Sequence, residues 1–284
     1  MTTRTPSAAV FGAGVMGIGI ATLLVGRGIP VTLVDVDPAR RDSARPRLRD
    51  ELRMGRMVGA LSRDGAAGEL TVADSVGAAA TASWIIEAVT EDPELKAGLH
   101  KEIAAAVAAG TPRITNTSSI PVGELAARVP DPQDLVGVHF MNPPYLIGTF
   151  EVIRGKQTGE PAMAAVRDLL SALDRTGIVV GDGPGFVTSR LLHRMINDAA
   201  NLVEEGRAGV EDVDALMTGC LGHRTGPLRT ADLIGIDNLV DSLTVLHERT
   251  GDPGCRPSAL LLRKVAAGHH GRKSGRGFYE YGTA

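Results

Sequence analysis

The chain has 284 residues, of which 43% are hydrophobic and 22% are charged, and its formal net charge is −3. This composition is typical of a globular protein of one or two domains, and the small negative charge gives no reason to expect a nucleic-acid partner. No apolar run is long enough to cross a bilayer, and no leader segment precedes the first predicted strand, so we expect a cytoplasmic protein without membrane attachment. Cys220 and Cys255 are isolated, which agrees with a reducing compartment, and no spacing of His, Cys or acidic residues predicts a metal site.

The first predicted elements form a strand, a glycine turn, a helix and a second strand. Ala8–Phe11 is an apolar run, and Gly12, Gly14 and Gly17 follow it in G-x-G-x-x-G spacing. Such glycines allow a tight turn, close approach of a pyrophosphate and packing of helix on strand, and the helix N-terminus attracts phosphate. The second strand ends at Asp35, whose carboxylate can accept both ribose hydroxyls of an adenosine and would repel a 2′-phosphate. The unit therefore predicts an NAD site rather than an NADP site.

A basic segment follows Asp35. Between Arg40 and Arg56 the sequence has seven arginines against only three acidic residues, and its pattern is helical although Pro46 lies inside it. A solvated helix face would explain this charge by itself. A positive surface for a phosphorylated carrier is the functional alternative.

Strands and helices then alternate up to about residue 180. Predicted strands cover residues 84–89, 114–116, 135–140, 150–153 and 178–180, and predicted helices cover 94–109, 121–129 and 162–176. This alternation predicts an α/β Rossmann domain with a doubly wound parallel sheet. Ligands of such sheets bind beyond the carboxyl ends of the strands.

Several polar residues fall at those strand ends, on the edge that carries the glycine turn. An alcohol that loses a hydride must also lose its hydroxyl proton, so oxidation needs a base. His139 is the candidate base, and Glu151 on the adjacent strand could fix its tautomer and stabilise the imidazolium. Ser118 could bind the substrate oxygen, and Asn142 could hold the nicotinamide ribose. A histidine at a strand end can also be purely structural.

The chain changes character at Gly181–Gly185, a cluster of helix and strand breakers. Beyond it the pattern predicts only helices, over residues 187–203, 210–221, 230–250 and 258–267. We therefore expect a Rossmann domain at 1–183 and an all-helical domain at 184–284. The broad apolar faces of these helices favour a shared core in a homodimer.

Taken in order, eight segments resemble the 3-hydroxyacyl-CoA dehydrogenases of the 3-hydroxybutyryl-CoA dehydrogenase type over nearly the full length. They are GAGVMGIGIA at 12–21, EAVTED at 87–92, NTSS at 116–119, HFMNP at 139–143, EVI at 151–153, DGPGFVTSRLL at 182–192, GPLRTADLIGID at 226–237 and GRKSGRGFYEY at 271–281. The resemblance implies reversible, NAD-dependent oxidation of a 3-hydroxyacyl thioester to the 3-oxo thioester, in a homodimer whose helical domains pair.

The resemblance also implies a role for individual residues. His139 would be the general base, Glu151 its partner, and Ser118 a contact of both substrate and cofactor. Ser118, Asn142 and Ser189 would bind the substrate. The implied NAD contacts are Gly12, Gly14, Val15, Met16, Gly17, Asp35, Glu91, Lys96, Asn142 and Lys273.

Three departures from the family pattern leave the substrate open. Ser189 stands where the family has an asparagine that helps to hold the substrate, and the arm that clasps CoA is shorter. Residues 144–150 stand where the family has a methionine–lysine step, and the NPPY at 142–145 also resembles the hydroxy-acid branch, the gulonate dehydrogenase and λ-crystallin type. The carrier of the acyl group is therefore expected to be an acyl carrier protein, with a short polar acyl group such as glyceryl, or CoA. A free hydroxy-acid dehydrogenase and a non-catalytic NAD(H)-binding dimer are the alternatives.

Overall fold

The computed structural model describes residues 5–63 and 65–282. The chain divides into two compact units, with the break between Gly183 and Pro184. Within the described part of the first unit, the strands are β1 Ala8–Phe11, β2 Val31–Val34, β3 Leu70–Ala73, β4 Trp84–Glu87, β5 Arg113–Thr115, β6 Leu135–His139, β7 Thr149–Arg154 and β8 Thr176–Gly181. The helices are α1 Val15–Gly26, α2 Pro38–Met57, α3 Pro93–Ala106, α4 Val122–Ala126 and α5 Glu160–Ala172.

These strands form one sheet in the order β3-β2-β1-β4-β5-β6-β7-β8. The chain runs outward in opposite directions from β1 and β4, and such a reversal opens a crevice at the carboxyl ends of the two strands. The predicted doubly wound Rossmann sheet is confirmed, and the glycine turn follows β1 at this crevice.

Two details of the predicted sheet are wrong. β7 runs antiparallel to β6, whereas the other pairings are parallel. Only residues 140–148 separate the two strands, and a parallel crossover needs a longer connection. The sequence analysis also missed β3, an edge strand in which only Leu70 is buried, so that its apolar pattern is weak.

The sheet is covered on both faces, as its strand sequences require. Alternate strand residues such as Val10 and Leu33 enter one hydrophobic cluster, and their neighbours Phe11 and Val34 enter the other. Parallel strands buried on both faces are continuously apolar, which is why β1, β2 and β4 are recognisable in the sequence.

The second unit is helical in its described residues. Its helices are α6 Thr188–Glu204, α7 Val210–Leu221, α8 Pro227–Ile234, α9 Ile236–Thr250 and α10 Ala259–Ala266. The single helix predicted over residues 230–250 is wrong, because Gly235 has a φ of 96° and separates α8 from α9. Across the described part of the chain, no helix combines the length and the apolarity that a membrane span requires.

Candidate active site

The glycine turn between β1 and α1 is shaped by close backbone contacts. A Cβ on Gly12, whose φ is 99°, would lie 2.5 Å from the carbonyl oxygen of Ala88, and a Cβ on Gly17 would lie 1.7 Å from the carbonyl oxygen of Gly12. No described heavy atom lies within 4 Å of a Cβ built on Gly14, so that side of the turn is open. Val15 and Met16 begin α1, whose free N–H groups suit a pyrophosphate at this open side.

Asp35 lies at the carboxyl end of β2, beside the glycine turn. Its Oδ2 accepts a hydrogen bond from the N–H of Ala13 at 2.6 Å, and its Oδ1 accepts one from the N–H of Asp37 at 2.9 Å. Arg40 Nη1 lies 3.9 Å from Asp35 Oδ2. Each carboxylate oxygen has two lone pairs, so both oxygens keep capacity for ribose hydroxyls.

A cleft of about 370 Å3 opens between Asp35 and α3. Its walls are largely apolar and include Val34, Val76, Val89 and Leu99. An apolar slot with a carboxylate at its mouth fits an adenosine, with the adenine between the aliphatic side chains and the ribose on Asp35. The residues present therefore fit the NAD that the sequence predicts.

Glu91, which follows β4, holds the loop that carries Ser118. Glu91 Oε1 accepts hydrogen bonds from Thr117 Oγ1 at 2.6 Å and from the N–H groups of Ser118 and Ser119 at 2.9 and 3.0 Å. Burial opposes ionisation of Glu91, but the Lys96 charge and these hydrogen bonds outweigh burial and lower its pKa. Ser118 itself is exposed at the edge of the sheet.

The side chain of Lys96 is fully buried, and its expected role as an NAD contact stays a prediction. Its Nζ lies 2.6 Å from Glu87 Oε1 and 3.2 Å from Glu91 Oε2. Burial opposes ionisation of Glu87, but His100 and Lys96 outweigh it and lower the pKa of Glu87 to about 2. In this structure the Lys96 ammonium group therefore links the carboxylates of Glu87 and Glu91.

His139 and Glu151 are brought together by the β6–β7 register. The two residues are partners in this antiparallel ladder, and His139 Nδ1 lies 2.8 Å from Glu151 Oε2. Because β7 is antiparallel, its first residues lie at the same edge as the carboxyl end of β6. His139 is 7% exposed and Glu151 8% exposed, so the pair lies near the surface of that edge without being freely solvated.

Asn116 is a site residue that the sequence analysis quoted only within a motif and gave no role. Its Oδ1 accepts a hydrogen bond from the N–H of Phe140 at 2.9 Å, which ties the segment after β5 to the segment after β6. Ser118 and His139 are thereby held on neighbouring strands, and Asn142 follows as an exposed residue. Asn116 directly follows β5 in the structure, whereas the predicted strand included it.

Two expected contacts belong to the second unit. Ser189 is buried in the first turn of α6, and Lys273 Nζ lies 2.6 Å from Asp237 Oδ2. Their roles towards substrate and NAD stay predictions. Among the described residues, no group of three or more His, Cys, Asp or Glu side chains could hold a metal ion.

A dinucleotide cleft at the switch point of the sheet, with a His–Glu pair on the same edge, defines a nicotinamide-dependent dehydrogenase. Comparison with known families gives the particular class. Residues 7–183 match the family described as 3-hydroxyacyl-CoA dehydrogenase, NAD binding domain, and residues 185–281 match its C-terminal domain. The chain belongs to the 3-hydroxyacyl-CoA dehydrogenase family and is an NAD-dependent oxidoreductase, which confirms the resemblance seen in the sequence.

Individual relatives agree with this assignment. A probable 3-hydroxybutyryl-CoA dehydrogenase of Bacillus subtilis is 37% identical over 96% of both chains. The crystal structure of FadB2 from M. tuberculosis superposes with a TM-score of 0.93 at 35% identity, covering 98% of this chain and 99% of that one. A 5-formyl-3-hydroxy-2-methylpyridine 4-carboxylate 5-dehydrogenase of Mesorhizobium japonicum is 31% identical over 96% of this chain and 90% of its own length. The similarity therefore extends over both units.

Proposed function

We propose that the protein interconverts a 3-hydroxyacyl thioester and its 3-oxoacyl thioester, with His139 as the general base and Glu151 as its partner. The observation that carries this proposal is the 2.8 Å contact between His139 Nδ1 and Glu151 Oε2 at the edge that holds the glycine turn. A carboxylate that accepts a hydrogen bond from Nδ1–H leaves Nε2 as the atom that exchanges a proton with the substrate.

Each residue of the edge has a part in the reaction. The cleft lined by Gly12 and Asp35, with the open side of Gly14, would hold NAD, whose nicotinamide would supply the acceptor for the hydride of the carbon that bears the hydroxyl group. His139 Nε2 takes the hydroxyl proton, and Glu151 stabilises the imidazolium that results. Ser118 donates a hydrogen bond to the substrate oxygen, and Asn142 binds the nicotinamide ribose. Glu91 holds the Ser118 loop so that this geometry exists before the substrate arrives.

The carrier of the acyl group is proposed to bind along α2. Arg45, Arg49, Arg53 and Met57 follow one another at a spacing of four residues, so they form one stripe on the helix, and all four are exposed. The phosphates of CoA complement this charge. The acidic surface and phosphopantetheine of an acyl carrier protein also complement this positive charge. An acyl carrier protein is therefore a second candidate beside CoA.

The protein is also proposed to form a homodimer through its second unit. A groove of about 360 Å3 on this unit has an apolar wall that includes Leu191, Met195, Leu202 and Met217. Leu191 is 67% exposed in the single chain, which is unusual for a leucine in an apolar groove. Sedimentation of the wild type should give twice the chain mass, and Leu191→Asp should weaken the association.

Steady-state NADH formation tests the activity and its carrier. The substrates are 3-hydroxybutyryl-CoA, the same acyl group on an acyl carrier protein, a glyceryl carrier thioester and a free 3-hydroxy acid. We expect turnover of the thioesters, and Arg49→Glu with Arg53→Glu should raise KM about fivefold or more for a carrier-protein substrate. Tight NADH binding without turnover of any thioester would contradict the proposed function, and turnover of the free acid alone would reassign the substrate.

A further inference from the structure

Arg47, on the inner side of α2, contacts the glycine turn of the cofactor cleft. Its Nη1 donates a hydrogen bond to the carbonyl oxygen of Ala13 at 2.8 Å, across 34 residues of sequence. The N–H of the same Ala13 donates to Asp35 Oδ2 at 2.6 Å. Both backbone polar groups of Ala13 are thus hydrogen-bonded, and the guanidinium of Arg47 lies beside the glycine turn.

The position of Arg47 is fixed by the packing of α2. Glu51, one turn further along, accepts a hydrogen bond from the hydroxyl group of buried Tyr145. Burial and this carboxylate raise the pKa of Tyr145 to about 12. Gly55, a further turn along, packs so closely that a Cβ there would lie 3.3 Å from Tyr145 Cδ2. The spacing of four residues puts Arg47, Glu51 and Gly55 on one face of α2. The exposed residues Arg45, Arg49 and Arg53 lie on the other face.

The groups around the glycine turn and Arg47 favour the binding of an anion. A guanidinium carries five N–H donors in a planar fork and stays charged at any working pH, and the bond to Ala13 uses one donor. Arg47 is only partly buried. The open side of Gly14 and the amino end of α1 lie on the same turn, and both suit a phosphate.

We propose that Arg47 is a phosphate-binding residue of the cofactor cleft. The phosphate is either the pyrophosphate of the dinucleotide or a phosphate of the CoA or phosphopantetheine that α2 receives, since the two share the chemistry that a guanidinium recognises. The inference rests on the NAD cleft of the proposed enzyme but not on the role of His139. Binding measurements without turnover therefore separate its failure from a failure of the proposed general base.

Binding of NADH to Arg47→Gln, Arg47→Lys and the control Arg167→Gln gives the first test. Arg167 lies on α5, pairs with exposed Glu160, and its replacement removes the same charge away from the cleft. If the pyrophosphate is the ligand, Arg47→Gln raises the Kd of NADH about tenfold and reduces its dependence on salt, Arg47→Lys restores most of the affinity, and Arg167→Gln has no effect.

The second measurement assigns the phosphate to its source. If it belongs to the carrier, the Kd of NADH is unchanged, and KM rises about tenfold for 3-hydroxybutyryl-CoA but not for the corresponding pantetheine thioester, which lacks phosphate. The proposal is overturned if Arg47→Gln changes neither constant. It is equally overturned if Arg47→Lys is as impaired as Arg47→Gln with an unaltered salt dependence, because the side chain would then act only by packing.

Discussion

Two histidines of the first unit face a glutamate, and the two pairs are arranged differently. His139 Nδ1 lies 2.8 Å from Glu151 Oε2 at the edge of the sheet, whereas His100 Nε2 lies 3.6 Å from Glu87 Oε2. His139 is 7% exposed, and both members of the interior pair are fully buried. Among the described residues, neither ring nitrogen of His100 has a hydrogen-bond partner.

The glutamate of the interior pair is held by several further donors. Glu87 accepts hydrogen bonds from Lys96 Nζ at 2.6 Å, from Thr115 Oγ1 at 2.7 Å and from the N–H of Val89 at 2.9 Å, so its lone pairs are committed to the interior. In the pair at the edge of the sheet, Glu151 directs Oε2 at Nδ1 of His139. A histidine and a glutamate can act together in catalysis only where the carboxylate orients the imidazole and the imidazole can reach a substrate, and we propose this role only for His139 and Glu151. The interior pair stabilises the fold.

The largest expected effect is on turnover when His139 is replaced. His139→Gln should lower kcat by about a thousandfold or more because the hydroxyl proton loses its acceptor, while the Kd of NADH stays within about twofold. The matched control is His100→Gln, which should keep kcat within about threefold and instead lower the unfolding midpoint. Equal losses of kcat in the two variants would abolish the distinction between the pairs.

The interior pair predicts a loss of stability in acid. The pKa of Glu87 is lowered from 4.5 to about 2, so its contribution is complete above pH 4.5 and is lost as the pH falls towards 2. That difference corresponds to about 3 kcal/mol. Trp84, the only tryptophan of the chain, lies on the same strand and reports unfolding of the first unit.

Urea titrations at a series of pH values measure this contribution. The free energy of unfolding should fall between pH 4.5 and 2, and the fall should be smaller in Glu87→Gln because that side chain does not titrate. Glu91, whose pKa is also lowered, contributes in the same direction in both proteins. An identical pH dependence in wild type and variant would show that Glu87 is not the group responsible.

Replacing Glu151, the carboxylate partner of His139, should lower turnover and should not reduce the loss of stability in acid that is expected of Glu87. Glu151→Gln should lower kcat about a hundredfold, because an amide orients the His139 ring without stabilising the imidazolium. A variant with normal kcat and lowered stability would make the edge pair equivalent to the interior one.

Much of the edge could be predicted because its residues directly follow apolar strands. Asp35, Ser118 and His139 stand where buried β-strands end, and the sheet brings those ends together. The pairing of His139 with Glu151 was expected from neighbouring strands, although the antiparallel direction of β7 was not. The apolar pattern carries no information on strand direction, and the signal that could have been used was the short connection between the two strands, which is too short for a parallel crossover.

Contacts between side chains were harder to predict than strand ends. The resemblance to the family marks the position of Lys96, but it did not predict the burial of this side chain against Glu87 and Glu91, which lie nine and five residues earlier in the sequence. Arg47 is one of seven similar arginines, and nothing local distinguishes it. Only the packing of α2 on the glycine turn selects it.

The smallest expected effect comes from two threonines, one that donates to Glu87 at the end of β4 and one that donates to Glu91 beyond it. Thr115 Oγ1 donates to Glu87 Oε2 at 2.7 Å, and Thr117 Oγ1 donates to Glu91 Oε1 at 2.6 Å. Thr115→Val should cost about 2 kcal/mol of stability and leave kcat unchanged, because it removes one bond to a buried carboxylate. Thr117→Val should also lower kcat about threefold, since it loosens the loop that holds Ser118. Thermal unfolding and NADH formation, measured on both variants, check this division. If Thr115→Val lowered kcat as much as Thr117→Val, the interior network would be acting on the reaction and not only on the fold.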